Sequence, residues 1–581
     1  MKKQSLQLAA AACLWTGVLY AEDYPLGPDS LKQAGVPEGE VTKYTFAGSR
    51  LYPGTTRDYW VYVPKSYDPA KPACVWVNQD GIQFNAPIVF DNLIARGEIP
   101  VLIGVFVQPG RMKSEREGAL DRFNRSYEYD SLGDRYARFV LEELLPDVEK
   151  RQTSDGRPIR LSKSGNDRAI SGSSSGAMAA FNAAWERPSD FGRVFSAIGT
   201  FVGLRGGNVL PTLVRKVEPK RLRVFLQDGS ADNNIYGGDW WMANQEMERS
   251  LTFAGYEVEH VWGEGAHNAK PATAIFPQAL RWLWKGWPAG IGAGAGSRQM
   301  QEILMPASDW ELVGEGYKFT EGPAVNEKGE VFFNDIPGNQ TYRVGTGIPE
   351  VVVSDSHGAN GHAFGPDGRR YVVATRDQKV LAYRPGAAEP ETVAEGIRGN
   401  DLVVLNNGRV YVTEPSSDPK VQGKVWLLAD GQEKREVDSG VKFPNGVVCS
   451  PDQSLLYVAD WKSHWVYSYR IAADGTLENK QQFYHLHVPD SADESGADGM
   501  RVDADGRLYV ATRMGIQVCD QAGRVNCILP LPNGKVSNLE FGGPDRDTLY
   551  ATCGDKVYRR KVKVRGIRTC EPPVKPAAPK L

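Results

Sequence analysis

The chain has 581 residues, too many for one ordinary domain, so two or three are expected. Its net charge of −3, from 68 basic and 71 acidic residues, points away from a nucleic-acid partner. The 24% charged and 41% hydrophobic fractions are those of a soluble globular protein.

The first residues read as a targeting segment. Lys2 and Lys3 form a basic start, Leu6 to Leu19 is mostly apolar, and Tyr20-Ala21 ahead of Glu22 offers a cleavage point. Residues 1–21 are therefore assigned as a signal peptide, and the protein is expected to be exported, either periplasmic or secreted. An uncleaved anchor and lipidation at Cys13 are the alternatives. No later segment has the apolar length to cross a membrane. Export permits disulfides, and six cysteines follow Glu22. Cys519 and Cys527 flank a hairpin-like turn and form a candidate pair, while Cys74 reads as a buried thiol in an apolar strand. No C-x-x-C occurs, which argues against a cysteine zinc site.

In residues 22–287 apolar strands alternate with helical patterns, which argues a mostly parallel sheet. Ala73–Asn78 and Pro100–Val107 are buried strands. Arg168–Ile170 is a short apolar run entering Gly172-Ser-Ser174-Ser-Gly176, and an Ala-rich helical run follows. Strand, glycine-framed serine, then helix is the pattern that lifts a serine hydroxyl above a sheet edge. A serine nucleophile needs a base, and the base needs an acid to orient it. Two histidines precede residue 300. His260 lies inside an alternating strand, whereas His267 lies in a loop between the last strand and the last helix. Gln227-Asp-Gly-Ser-Ala-Asp232 follows a strand and offers Asp232, with Asp228 in reserve. The oxyanion formed at Ser174 needs two backbone donors. Ser175 is one candidate, and Gly81 or Ile82 in the Asp80-Gly81-Ile82 loop supplies the other. Trp240, Trp241 and Trp262 are candidates to stack on a sugar or aryl ring, or to pack the core.

These stretches, with Asn124–Asp130, Asp134–Arg138 and Gly199–Gly203, give residues 40–287 a specific resemblance to the esterases that include enterochelin, feruloyl and acetylxylan esterases. The resemblance implies an α/β-hydrolase domain that cleaves carboxylic esters, often acyl groups on sugars. It supports Ser174, Asp232 and His267 as the triad, with no cofactor.

Residues 288–300 are Gly/Ala-rich and read as a flexible linker. Beyond them one pattern recurs: Gly329-Glu-Val-Phe-Phe, Gly368-Arg-Arg-Tyr-Val, Gly408-Arg-Val-Tyr-Val, Ser454-Leu-Leu-Tyr-Val, Gly506-Arg-Leu-Tyr-Val and Asp547-Thr-Leu-Tyr-Ala. Six copies spaced by roughly 40 to 50 residues predict a six-bladed β-propeller over 301–566. The fold class is thus multidomain, an α/β-hydrolase sandwich and then an all-β propeller. Residues 567–581 read as a disordered tail. Polar loops at strand starts, Thr320–Pro323, Gly358–Gly361, Arg398–Asp401, Phe443–Gly446 and Ala497–Met500, gather at the central channel. Their carboxylate and amide oxygens suit a hard divalent cation.

Glu321-Gly-Pro, Arg398-x-Asn400-Asp401, Pro444-Asn445-Gly446 and Asp498-Gly499-Met500 resemble the gluconolactonase/regucalcin family of metal-dependent lactonases. The resemblance implies a metal held by Glu321, Asn445 and Asp498, calcium first, with magnesium, manganese and zinc as alternatives. Arg398, Asn400 and Asn360 would hold substrate, and Asp498 would also serve as base. The insert at Val488–Gly496 departs from the family's blade spacing. The leading reading is an exported serine carbohydrate esterase fused to a metal-dependent sugar lactonase, acting on small-molecule or polysaccharide esters and sugar lactones. The alternative keeps only the esterase active and makes the propeller a carbohydrate-binding or docking module. A third reading, with neither half catalytic, is an extracellular interaction protein. Oligomeric state is not legible in the sequence.

Overall fold

The computed structural model describes residues 24–579 except 346 and 419. The signal-peptide assignment at 1–21 and the cleavage point before Glu22 lie outside the described residues. None of the described helices is long and apolar enough to cross a membrane.

The front half is built on one ten-stranded sheet. Its strands are β1 (Glu40–Ala47), β2 (Thr56–Val63), β3 (Cys74–Gln79), β4 (Leu102–Val107), β5 (Arg111–Met112), β6 (Arg122–Phe123), β7 (Arg168–Ser173), β8 (Arg193–Ala197) and β9 (Arg223–Ala231), with β12 (Glu257–Ala266) at the edge. Between the last two, β10 (Asn234–Ile235) and β11 (Gly238–Asp239) form a small hairpin of their own. From β12 through β9, β8, β7 and β3 to β4 all neighbours are parallel, and β2 and β1 add antiparallel at the other side. The expected mostly parallel sheet is present.

Alternation along the strands explains why both faces are covered. Val75, Val77, Ile103 and Val105 point into a core with Phe181 and Leu251, while Trp76, Leu102 and Phe106 point into another with Phe90 and Phe276. The helices Ser175–Glu186 and Trp240–Ala254 cover the first face, and Ala86–Ala95 and Lys270–Trp284 cover the second.

The back half is a β-propeller of five sheets, one of six strands and four of four strands. The six-bladed expectation is therefore corrected. The reason is that two long strands run across the closure. Glu311–Val325 pairs through Glu311–Glu315 with Lys556–Arg559, and through Thr320–Val325 with Val331–Asp335. The first and last repeats are thereby stitched into one sheet.

Three further expectations are corrected. Residues 288–300 are exposed at first but packed from Gly294 onward rather than loose throughout. Gly294 lies so close to Ala254 and Gly255 that a Cβ would collide with their backbone, and Ser297 caps the helix Arg298–Ile303 by accepting from Met300 N at 3.1 Å. Met300 and Ile303 are buried against Leu529 and Val562. Residues 567–579 are docked rather than disordered. Gln453 Nε2 donates to the carbonyls of Thr569 and Glu571 at 2.8 and 2.9 Å, Thr569 Oγ1 donates to Val404 O at 2.8 Å, and Cys570 is buried. Their Pro/Ala-rich composition conceals this because the contacts are made mainly by carbonyls. Cys519 and Cys527 form no disulfide, and the six described cysteines are free and buried. Val518 pairs with Cys527 across the hairpin, so Cys519 is one residue out of step and points to the opposite face.

The two halves meet along the helix Leu210–Lys216 and the segment after it. Glu218 N donates to Ile528 O at 3.0 Å, and Lys216 Nζ lies 3.0 Å from His487 Nε2.

Candidate functional site

Ser174 stands at the turn between β7 and the helix Ser175–Glu186, with φ 58° and ψ −125°. This left-handed backbone costs energy for a non-glycine residue and is held by the tight packing around it. A Cβ on Gly172 would collide with the backbone of Gly176, and one on Gly176 would crowd Gln79 and Asp80. The two glycines thus let the strand and helix approach, and the serine is left as a half-buried corner.

Three chain segments meet there. His267 Nε2 lies 2.8 Å from Ser174 Oγ, and His267 Nδ1 lies 2.5 Å from Asp232 Oδ1. Burial raises the Asp232 carboxyl, but hydrogen bonds from His267, Asp228 and Asn233 outweigh it and hold Asp232 below its usual value. The acid of the set is therefore Asp232. Asp228, its alternative, is fully buried and touches no histidine in this arrangement.

Of the oxyanion candidates, Ser175 is the first residue of its helix, so its N–H has no partner within the helix. Gly81 is corrected: its N–H donates to Val107 O at 3.1 Å and is spent on the sheet edge. Its φ of 78° still shapes the loop and leaves Ile82 as the remaining candidate there. Asp80 in the same loop is locked by Arg125, which donates to both carboxylate oxygens at 2.9 and 2.8 Å.

Trp240 is also corrected. It is 3% exposed, its indole N–H donates to Thr200 Oγ1 at 3.2 Å, and its ring meets His267 edge-on at 5.8 Å. It is a wall for the histidine rather than a platform for substrate. Thr200 Oγ1 is in turn 3.3 Å from Ser174 Oγ; the sequence reading passed over Thr200. Trp241 packs edge-on against Trp262, which stacks on His260.

In the propeller the strand-start loops form a ring in which each abuts the next. A Cβ on Gly322 would strike Asn360 O, on Gly361 the Asp401 side chain, on Gly446 Asp498 O, and on Gly499 the Asn538 side chain. Asn538 Nδ2 donates to Glu321 Oε1 at 2.7 Å and closes the ring. Ser537-Asn538 is the sixth loop, which the sequence reading missed because it carries no glycine. Its signal was spacing: Asn538 precedes Tyr550 by the same interval as Asn445 precedes Tyr457.

Glu321, Asn445 and Asp498 are brought together on this ring, with the buried Asp401 beside them. Burial, joined by the charge of Asp401, lifts Glu321 to about 6 against hydrogen bonds from Ser537 and Asn538. Burial lifts Asp401 to about 6 against the charge of Arg501. Burial and the charges of Glu321 and Asp401 push Asp498 well above the carboxylate range. Glu321 Oε2 and Asn445 Oδ1 are buried without a hydrogen-bond partner. Clustered acids with spare hard oxygens fit a divalent cation. Among the described residues, however, no three His, Cys, Asp or Glu side chains converge as a metal set. A cation here would rely on the Asn445 amide as well as carboxylates.

Arg398, Asn400 and Asn360 line a cavity of about 660 Å³ with Glu414, Trp426 and Phe443. Asp498 also opens into a cavity of about 1180 Å³ walled by both halves, with Phe319, Trp461 and the insert at Val488–Gly496 on one side and Trp185 and Leu213 on the other. Below the ring, Ile567–Cys570 cover the channel, where Arg501 pairs with Glu540 at 2.7 Å.

Residues 52–283 match the family described as "Putative esterase", and residues 319–555 match the family described as "SMP-30/Gluconolactonase/LRE-like region". The chain is an esterase-family domain fused to a gluconolactonase-like domain. It is a carboxylic ester hydrolase. The gluconolactonase-like domain is similar to the gluconolactonase of Zymomonas mobilis, 25% identical over 307 residues, spanning 46% of this chain and 86% of that one. It is 28% identical to regucalcin of Oryctolagus cuniculus over 255 residues, spanning 40% of this chain and 82% of that one. The esterase-family domain is similar to the enterobactin esterase structure from Shigella flexneri, at 21% identity and a TM-score of 0.35, over 45% of this chain and 63% of that one.

Proposed function

We propose that the protein is an exported, two-domain hydrolase in which an α/β-hydrolase domain cleaves carbohydrate esters and the propeller opens sugar lactones with a bound divalent cation. The observation that carries it is the Ser174–His267–Asp232 relay of hydrogen bonds. In this reading His267 Nε2 takes the Ser174 proton as Oγ attacks the ester carbonyl, and Asp232 steadies the imidazolium. The Ser175 and Ile82 amides receive the developing oxyanion. His267 then returns the proton to the leaving alcohol, and water cleaves the acyl-serine by the same steps in reverse order.

In the propeller, Glu321, Asn445 and Asp498 would hold the cation, which when bound would polarise a lactone carbonyl. Arg398, Asn400 and Asn360 would grip the sugar hydroxyls, and Asp498 would accept a proton from the attacking water. Calcium suits the oxygen-only donors. A second reading is a serine esterase with a non-catalytic carbohydrate-binding propeller.

The test is hydrolysis of acetyl, feruloyl and glucuronoyl sugar esters and of aldonolactones by wild type, Ser174→Ala and Asp498→Ala, with and without chelator. Loss of ester cleavage alone in Ser174→Ala, with loss of lactone opening alone in Asp498→Ala or chelator, supports two activities. Metal-independent activity that depends wholly on Ser174 favours the second reading.

A further inference from the structure

Asp228 lies one residue before the end of the buried part of β9 and is fully buried. Its Oδ1 accepts the Gly229 N–H at 2.7 Å, while its Oδ2 has no partner. Asp232 Oδ1 takes His267 and the Asn233 N–H, and Asp232 Oδ2 has no partner either. Asn244, on the helix Trp240–Ala254, spends its amide protons on Gly199 O at 2.9 Å and Trp240 O at 3.0 Å, so its Oδ1 is also unmatched. Asp228 is within hydrogen-bonding reach of both Asp232 and Asn244. The corner thus holds three unmatched buried acceptor oxygens, and its neighbouring amide, Asn244, which favours an ionised Asp228, already donates to two carbonyls. Two ionised carboxylates there would repel each other in a desolvated site. Among the described residues, the groups acting on Asp228 are Asp232, Asn244 and the Gly229 N–H, with His267 beyond Asp232.

We propose that Asp228 is a neutral carboxylic acid whose O–H donates to Asp232 Oδ2, making it a positioning residue for the triad. One proton joins the two carboxylates and leaves Asn244 Oδ1 as the one oxygen of the three still unmatched. It fixes the second oxygen of Asp232, so that the first cannot swing away from His267 Nδ1. Burial, then the hydrogen bond with Asp232, lifts the Asp228 carboxyl to about 9, in keeping with a group that is protonated at neutral pH. Above that pH the donor is lost and a second negative charge appears beside Asp232. The inference rests on the serine-esterase reading of this site.

The experiment compares wild type, Asp228→Asn and Asp228→Leu in the full chain, using the best sugar ester from the panel and following kcat and KM from pH 5 to 10. An asparagine amide can donate to Asp232 as the acid does, and it does not ionise. Asp228→Asn is expected to keep kcat within about threefold at pH 7.5 and to lack the fall above about pH 9 that wild type shows. Asp228→Leu is expected to lose about 10- to 100-fold in kcat with KM within twofold. Its acid limb should move up, because Asp232 without its donor holds a proton more tightly. Equal activity in all three proteins, or an alkaline fall in Asp228→Asn matching that of wild type, overturns the inference. Asp228→Asn does not depend on Asp228→Leu folding well. Ester cleavage that survives Ser174→Ala instead defeats the underlying reading.

Discussion

Arg560 of the propeller forks onto both carboxylate oxygens of Glu218 in the esterase-family domain, at 2.8 and 2.7 Å. The Arg560 side chain is only 4% exposed, so its charge has little water to fall back on. Removing one partner of such a pair strands the other. Glu218→Ala is expected to destabilise the chain by about 3 kcal/mol in a denaturant melt. The double variant Glu218→Ala/Arg560→Met should recover most of that loss, because the buried charge is gone. A single variant that melts like wild type would mean that the pair is not a clamp.

Trp240 makes a prediction that separates wall from platform. Trp240→Phe keeps an aromatic edge against His267 and should hold kcat/KM within about threefold. Trp240→Ala removes the wall and should lower kcat by about 10- to 100-fold with KM little changed. A rise in KM confined to sugar substrates would instead mark a stacking surface.

Gly499 tests the ring. A methyl group there collides with Asn538, which holds Glu321. Gly499→Ala should cost about 1–3 kcal/mol of propeller stability and abolish lactone opening, while ester cleavage persists. Calorimetry with calcium should show weakened binding in the same variant.

The buried acids predict how the chelator-treated protein responds to pH. Glu321 binds its proton more tightly folded, at about 6, than at its ordinary value of 4.5. Over that interval the folded state holds more protons, so stability is greatest below about pH 4.5 and falls as pH rises through about 6. Glu321 alone contributes about 2 kcal/mol to this loss, and Asp401 acts in the same direction. Divalent cations should therefore raise Tm strongly at pH 7.5 and weakly at pH 5. A cation shift that is the same at both values would separate binding from these carboxyls.

That Ser174, Asp232 and His267 would meet was legible because each is announced by local grammar: a glycine-framed serine after a strand, an acid in a post-strand loop, and a histidine before the final helix. That the Gly81 amide is taken was not legible, since it depends on its bond to Val107 in a distant strand. The Trp240 role turned on a neighbour, Thr200, brought in from another loop. The propeller repeats were plain, but their count as sheets was not. Pairing of Glu311–Glu315 with Lys556–Arg559 joins residues from opposite ends of the domain. The tail and linker misled because small residues and prolines look alike whether they are solvated or lie flat against a surface.

The helix Ser175–Glu186 has Ser174 at its head, and Trp185 in its last turn borders the cavity that contains Asp498. Its 12 residues measure about 18 Å. Ser174 and the cavity that holds Asp498 are thus set at opposite ends of one rigid spacer. With both proposed activities present, what the fusion provides is a raised local concentration. A scavenging enzyme added to the solution should intercept any shared intermediate.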